Sequence, residues 1–421
     1  MKIEILATGN ELLTGALSDT NSAYIANSLI MNHFEVQKHH VVGDDLDIIS
    51  KLLFKIGQRA DALIVTGGLG PTPDDLSAEA AARASKSELV FNQDAYDALC
   101  VFFELIKRPM SSSIKKQAYI PDGSQMIENP VGTAPGFIVK IGKCRAYFLP
   151  GVPHEMKKML NEKVIPDLIQ HSGGNEKKTI QQTIVCFGTI ESKVGEAIKD
   201  IPSKVPGVRV GTRSKFPEIQ IKLYATAHTK DEATNMLKQA EQLCLERLGK
   251  YIFSLNGDSM QKVLSSLLKK EKKTLALAES CTGGLIAHLL TQVPGSSEFF
   301  LCSAVTYSNE SKMKVLNVSE ETLQNYGAVS QETVQEMAIG IRNKIGADYA
   351  IATSGIAGPT GGTPEKPVGT ICMAVACESC IHFHKVVLTY GNRKQKKELF
   401  AMVAMDMLRR VILKMPFIFN K

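Results

Sequence analysis

The sequence predicts an α/β protein, with two α/β domains built on mainly parallel sheets and joined by a small α+β connector domain. Three observations carry that prediction. Short apolar stretches alternate with helix-patterned ones near both ends of the chain, the rhythm of parallel strands with crossover helices. Glycine-rich polar turns come directly after several of the apolar stretches. A turn-rich break, His171-Ser-Gly-Gly-Asn175, separates the first rhythm from the rest of the chain. The 421 residues suit roughly three domains at about 150 residues each, and the boundaries are expected at 1–170, 171–256 and 257–421.

Ile3 to Ala7 is short and apolar and reads as a strand; Ser22 to Met31 has helical spacing. Val36 to Val42 and Ala62 to Thr66 are further strands, alternating with helices over Leu46 to Ile56 and Leu76 to Ser85. In the connector, Thr179 to Phe187 and Glu218 to Ala227 pattern as strands, and Glu191 to Asp200 and Lys230 to Arg247 as helices. No catalytic cluster marks that stretch, so it is expected to be a scaffold. The α/β rhythm then resumes. Helices are expected over Ser259 to Lys270, Gly284 to Gln292, Gln331 to Lys344 and Gln395 to Leu413. Strands are expected over Thr274 to Ala278, Ser303 to Tyr307 and Tyr349 to Thr353.

Composition narrows the function classes. A hydrophobic content of 44% and a charged content of 22% are ordinary for a globular chain with a sizeable core. The formal charge of +6 fits anionic small-molecule ligands and fits a solvated lysine surface equally well; the run Lys269, Lys270, Lys272 and Lys273 reads as such a surface. With no Trp and 6% aromatics, single-strand stacking platforms are not indicated, so nucleic acid is not the expected partner. The start Met1-Lys-Ile-Glu-Ile5 is not a secretory signal, and no uncharged apolar run approaches the ~18 residues of a membrane span. A cytoplasmic location with reduced thiols is therefore expected. Cys377-Glu-Ser-Cys380 is a lone CxxC. A zinc ribbon would need a second pair, and the flanking Thr370 to Ala376 and Ile381 to Leu388 look like hairpin strands, so incidental thiols are expected.

The most informative stretch is Leu275-Ala-Leu-Ala-Glu-Ser280-Cys-Thr-Gly-Gly284. A buried strand ends at a polar turn and a helix begins at once, placing Ser280 at the carboxyl edge of the sheet, where open α/β folds bind ligands. The amides of Cys281, Thr282, Gly283 and Gly284 are early-helix donors that could hold an oxyanion or a phosphate. Ser280 could equally be a helix N-cap. As a nucleophile it would need a base. His288 falls inside the helix after the turn, and His382 and His384 sit on a strand pair, which disfavours a Ser-His-Asp arrangement. Lys312 comes after another strand end and could reach the same edge, provided its pKa falls from ~10.4 toward ~7–8; a solvated surface lysine is the alternative. Thr353-Ser-Gly-Ile-Ala-Gly358-Pro-Thr-Gly-Gly362 adds a third polar strand end, and Arg393 could contribute a planar phosphate fork.

Ala278-Glu-Ser-Cys-Thr-Gly-Gly284, Thr306-Tyr-Ser-Asn-x-x-Lys312, Gly327-Ala-Val-Ser330 and Ser354-Gly-Ile-Ala-Gly-Pro359 together resemble the competence/damage-inducible CinA family. The resemblance implies a C-terminal nicotinamide-nucleotide amidohydrolase, converting nicotinamide mononucleotide (NMN) and water to nicotinate mononucleotide and ammonia without a cofactor. It implies Ser280 as nucleophile and Lys312 as its base. Substrate contacts would come from Cys281 to Gly284, Tyr307, Asn309, Ser354, Gly355, Gly358, Arg393 and Lys397. Lys397 stands where the family more often has arginine and cannot supply a bidentate grip.

Near the N-terminus, Ala7-Thr-Gly-Asn-Glu11 through Asp19-Thr-Asn21 comes after the first strand, and Val65-Thr-Gly67-Gly68-Leu-Gly70-Pro-Thr-Pro-Asp74-Asp75 after the third. Asp44 and Asp45 come after the second, where Asp44 could also cap a helix. Neither glycine cluster is a Walker A or GxGxxG loop. Acids beside bare amides suit a divalent cation bridging to phosphate. With Val131-Gly-Thr-Ala-Pro-Gly136 and Leu149-Pro-Gly-Val-Pro-His-Glu155-Met156, these stretches resemble the molybdopterin-binding-like domain of the same family. The resemblance implies metal-dependent cleavage of ADP-ribose. Candidate positions are Glu11, Asn21, Gly67, Gly68, Gly70 and Glu155, with Asp19, Asp44, Asp74 and Asp75 as candidate metal ligands. Ser77 stands where threonine is usual. The alternatives are a molybdopterin-related N-terminal function and a competence- or recombination-associated interaction protein. A homodimer without membrane partners is expected.

Overall fold

The computed structural model describes residues 1–173 and 178–418. The expected break therefore lies partly outside the described residues: His171 ends a helix and Ser172 and Gly173 form a turn, while Gly174 and Asn175 are not among them. The chain packs into two compact units, Met1–Ile180 with Thr226–Ala233, and Gln181–Ala225 with Thr234–Lys421.

The first unit begins β1 (Ile3–Thr8), α1 (Asn10–Leu13), α2 (Thr20–Met31), β2 (Val36–Val42), α3 (Leu46–Gly57), β3 (Ala62–Thr66) and α4 (Ser77–Ser85). It continues with β4 (Leu89–Phe91), α5 (Gln93–Leu105), β5 (Tyr119–Pro121), β6 (Gln125–Ile127), β7 (Gly136–Ile141) and β8 (Cys144–Leu149). It closes on α6 (Pro153–Met159) and α7 (Ile165–His171), joined through a π-helical turn over Leu160–Val164. The main sheet has the order β2-β1-β3-β8-β7-β6. Its first four strands run parallel, and β7 and β6 are antiparallel additions. Such a sheet is covered on both faces, which explains why every residue of β1 and β3 is buried and most are apolar. One face buries Leu53, Val65, Phe137 and Phe148, the two rings stacked at 4.5 Å; the other buries Ile5, Leu29, Ile64 and Met156. Glu4 interrupts β1 and is offset by Arg59, whose Nε and Nη2 each donate to it at 2.7 Å.

The second unit contains β9 (Lys178–Cys186) from Gln181 on, α8 (Glu191–Ile198), α9 (Ile201–Lys204), β10 (Val208–Lys215), β11 (Glu218–Ala227) up to Ala225, α10 (Lys230–Leu248) from Thr234 on, and β12 (Ile252–Ser254). These strands form a sheet of order β10-β11-β9-β12, of which β10 is a strand the sequence pattern did not reveal. Polar, mostly exposed residues in its second half, such as Arg213, Ser214 and Lys215, mask the alternation. Next come α11 (Met260–Glu271), β13 (Leu275–Glu279), α12 (Leu285–Thr291), β14 (Phe300–Val305), α13 (Asn309–Leu316) and α14 (Glu320–Tyr326). The last elements are α15 (Gln331–Ile345), β15 (Tyr349–Gly355), β16 (Thr370–Ala376), β17 (Ile381–Val387) and α16 (Arg393–Ile412). The sheet order is β14-β13-β15-β16-β17, with the first three strands parallel. A capping box between Asn392 and Gln395 starts α16, two residues earlier than its apolar pattern.

The expectation of free thiols at the CxxC is corrected: Cys377 and Cys380 form a disulfide. β16 and β17 pair antiparallel up to Ala376 and Ile381, and the Cys377 amide donates to the Cys380 carbonyl at 2.8 Å. That turn brings the two Cα atoms to 5.2 Å, within bridging distance. Among the described residues, no helix is long and apolar enough to cross a membrane.

Candidate functional sites

Strand register assembles the C-terminal site. Glu279 at the end of β13 lies opposite Val305 of β14 and Thr353 of β15, so the turns after all three strands open at one sheet edge. The Ser280 amide donates to the Thr353 carbonyl at 3.0 Å, and the Thr306 amide to the Glu279 carbonyl at 2.9 Å. Gly283 and Gly284 have φ of +60° and +85°, which lets the chain fold back into α12. Ser280 is not an N-cap: Gly284 precedes α12 and no side chain caps it by the usual route.

The cap is Glu279, a residue the sequence motif contained without singling out. It is fully buried, and its carboxylate accepts the amides of Ile286 at 3.3 Å and Ala287 at 3.0 Å and the Ser303 hydroxyl at 3.4 Å. The positive end of α12 balances the buried charge, and the carboxylate ties both ends of the Ser280 turn together.

Lys312 lies on α13, one turn past the Ser308 N-cap, and is 1% exposed. Its Nζ is 3.2 Å from Ser280 Oγ, 2.9 Å from the Thr306 carbonyl and 3.5 Å from the Tyr307 carbonyl. No carboxylate pairs with it among the described residues, and burial lowers its pKa below the ordinary lysine value. A neutral amine has two N–H bonds and one lone pair. Two carbonyls can take the N–H groups, leaving the lone pair for the Ser280 hydroxyl.

Of the four amides expected to face a ligand, Gly283 donates to the Ser280 carbonyl at 3.0 Å, whereas Thr282 and Gly284 donate to no group among the described residues. Cys281 is buried, and desolvation pushes its thiol up to about 12, so it stays protonated and apolar beside the serine. The Thr282 and Thr353 hydroxyls meet at 2.9 Å. Ser354 is turned inward, donating to the Ala328 carbonyl at 2.6 Å; it tethers the Gly327–Ser330 segment. Gly355 has no room for a side chain, because a Cβ would lie 2.6 Å from the Thr370 carbonyl and 3.2 Å from Cys281 Sγ. Arg393 links two loops, donating to the Gly358 carbonyl at 2.5 Å and the Tyr307 hydroxyl at 3.0 Å. Asn309 is exposed at the first position of α13. Lys397 lies with Nζ 3.3 Å from where a Gly283 Cβ would stand, and it has no ion pair among the described residues. His288 is bonded to Gln292, away from this chemistry.

In the first unit, parallel register again aligns the strand ends, Thr8 with Val42 and Thr66 with Leu149. The loops beyond them line two cavities of about 350 and 400 Å³ that share Thr8, Glu11, Gly67 and Gly151. The first holds Asp44, Gly68, Gly70, Asp74, Asp75 and Glu155; the second holds Asp19 and Asn21. Asp45, rather than Asp44, caps α3, accepting the Ile48 amide at 2.9 Å. Asp44 instead accepts the Asn10 amide at 3.0 Å, and its pKa is raised by burial and by the nearby Glu11, Asp74 and Asp75. Asp75 accepts the Thr72 amide and hydroxyl at 2.8 and 2.6 Å, and Asp19 caps α2 through Ser22 at 2.8 Å. Hydrogen bonding within the same turn holds the Asp74 carboxyl below its ordinary value. Glu155 is buried with a raised pKa and accepts from Asn129 at 2.7 Å. Asn21 donates to Thr66 Oγ1 at 3.1 Å and the Gly151 carbonyl at 2.7 Å, which leaves its Oδ1 without a donor among the described residues.

Ser77 supplies what a threonine would, a hydroxyl donating to the Gly67 carbonyl at 2.7 Å. Sequence reasoning missed Gln117 and Lys116. Gln117 lines the first cavity with an unpaired Oε1, and Lys116 binds the carbonyls of Thr72 and Asp75 at 2.5 and 2.9 Å. Both come from a 3₁₀ turn far from the glycine loops, with no local signal. Among the described residues, no three acids, histidines or cysteines converge as a preformed metal cage.

Residues 4–170 match the family described as "Probable molybdopterin binding domain", residues 181–254 the "Damage-inducible protein CinA KH domain", and residues 257–412 the "CinA C-terminal domain". A CinA-like protein of Desulfosudis oleivorans is 48% identical over 98% of this chain and 100% of its own length. Another, from Desulforapulum autotrophicum, is 44% identical over 98% and 99%. The crystal structure of a competence/damage inducible protein from Agrobacterium tumefaciens is 35% identical, covering 36% of this chain and 93% of its own, with a TM-score of 0.36.

Proposed function

The chain belongs to the CinA family, with a molybdopterin-binding-like domain and a CinA C-terminal domain, and from that premise we propose that its C-terminal domain hydrolyses the carboxamide of NMN. The observation that carries the proposal is the carboxylate-free contact, at 3.2 Å, between the buried Lys312 amine and the Ser280 hydroxyl. Ser280 Oγ attacks the amide carbon while neutral Lys312 takes its proton. The Thr282 and Gly284 amides face the developing oxyanion. Lys312 then passes the proton to the leaving nitrogen, ammonia departs, and an ester to Ser280 remains. Water attacks the ester as Lys312 accepts its proton; nicotinate mononucleotide leaves and Ser280 regains its hydrogen. Lys397 and Arg393 supply positive charge for the substrate phosphate. Ammonia release from NMN tests this: the wild-type protein should be active, and Ser280→Ala should lose activity by orders of magnitude while remaining folded. Near-normal turnover in the variant would remove the assignment.

For the N-terminal domain we infer metal-dependent hydrolysis of ADP-ribose to AMP and ribose 5-phosphate. Two cavities meeting at Gly67 and Glu11 suit a diphosphate with a nucleoside on one side and a sugar on the other. Asp44 and Asp74 would contribute one or two ligands to a divalent cation. So small a protein ligand set suits an ion whose remaining ligands are water and phosphate. Bound there, the cation would neutralise diphosphate charge. Glu155, desolvated and carrying a raised pKa, would hold or accept a proton. Chromatography of nucleotide products with metal and with chelator tests the inference; AMP formed equally in both would overturn it.

A further inference from the structure

A third cavity, of about 300 Å³, lies where the β10–β11 turn meets α12 and α16, and none of the residues assigned above to either glycine-rich site lines it. Phe216, Leu285 and Met402 supply apolar wall, and two carboxylates, Glu218 and Glu398, also line it. Neither carboxylate makes a hydrogen bond or ion pair among the described residues. Glu218 is half-buried, and desolvation raises its pKa, with Lys215 offsetting this only in part. Lys215 is exposed at the rim, and His288 already bonds Gln292 at 2.9 Å.

An unpaired carboxylate against apolar wall is costly, and the same dry wall strengthens any opposite charge that arrives. A hard metal ion would keep most of its water and gain nothing from the apolar wall. A phosphate would meet two like charges. A cation with an apolar body satisfies both features, because the Phe216 ring can face the charge and the methionine can adapt to the body. We propose that this cavity binds a small organic cation, an alkyl- or arylammonium, with its charge at Glu218 and Glu398 and its apolar part against Phe216, Leu285 and Met402.

The full-length protein would be titrated calorimetrically with benzyltrimethylammonium, and with benzyl alcohol as a neutral aromatic control. Saturable binding of the cation is expected, about tenfold or more tighter than the alcohol. Glu218→Gln combined with Glu398→Gln should weaken it about tenfold, and Phe216→Ala severalfold, with circular dichroism and NMN deamidation unchanged. Either single carboxamide variant supplies the same comparison if the double variant does not fold. Absence of saturable cation binding, equal binding of the alcohol, or unaltered affinity in the folded carboxamide variants would overturn the proposal.

Discussion

At the scale of single residues, the amidase proposal depends on the protonation of one amine. Protonated Lys312 has no lone pair, so the rate must fall as pH drops through its titration. Burial moves that titration below the ordinary lysine range, so kcat/KM for NMN should rise with pH and level off before exposed lysines deprotonate. A rate independent of pH across that limb would remove Lys312 as the base. Lys312→Arg should be inactive at every pH, because a guanidinium does not deprotonate in a protein. The Ser-Lys pair was legible through the motif resemblance, because strand-end position alone left a helix N-cap and a surface lysine open. That Ser354 faces inward, and that Asp45 rather than Asp44 caps α3, was not, because adjacent polar residues differ only in where the backbone aims them.

At the scale of elements, the distance between Ser280 and Lys312 is set by how α12 and α13 are anchored. Glu279 anchors the first. Glu279→Gln removes one acceptor from a buried site that serves two amides, and should cost about 1–3 kcal/mol in denaturant unfolding. Gly340 on α15 anchors the second, since a Cβ there would meet the Leu316 carbonyl at the end of α13. Gly340→Ala must push α13 away from α15, at about 1–3 kcal/mol for the overpacking. It should lower kcat for NMN while ADP-ribose cleavage is unchanged; wild-type kcat in the variant would show that α13 is not positioned this way.

At the scale of the whole molecule, the two proposed chemistries belong to different compact units and should separate cleanly. Chelator should abolish AMP release and leave ammonia release intact, and Ser280→Ala should do the reverse; loss of both under either treatment would contradict independent sites. The connector behaves differently. Val185, Phe187 and Phe253 belong to the same apolar cluster as Leu264, Leu277 and Phe400, and Arg410 donates to the Lys250 carbonyl at 2.6 Å. A fragment spanning 178–421 should therefore melt at a higher temperature than one spanning 257–421, checked by calorimetry; equal midpoints would show that the shared cluster adds nothing.

By itself the sequence determined the α/β class, the strand ends that form the candidate sites and the family. Those signals are local: apolar periodicity, glycine where φ must be positive, and motif residues a few positions apart. Tertiary structure alone decided how they meet. Parallel register, set by backbone pairing between strands distant in sequence, puts Glu279, Val305 and Thr353 at one edge and brings Lys312 within 3.2 Å of Ser280. It also decided the Cys377–Cys380 bridge, the Gln117 and Lys116 contacts and the cavity at Glu218 and Glu398. Each is created by packing or chain reversal, and no local pattern encodes which surfaces will be pressed together.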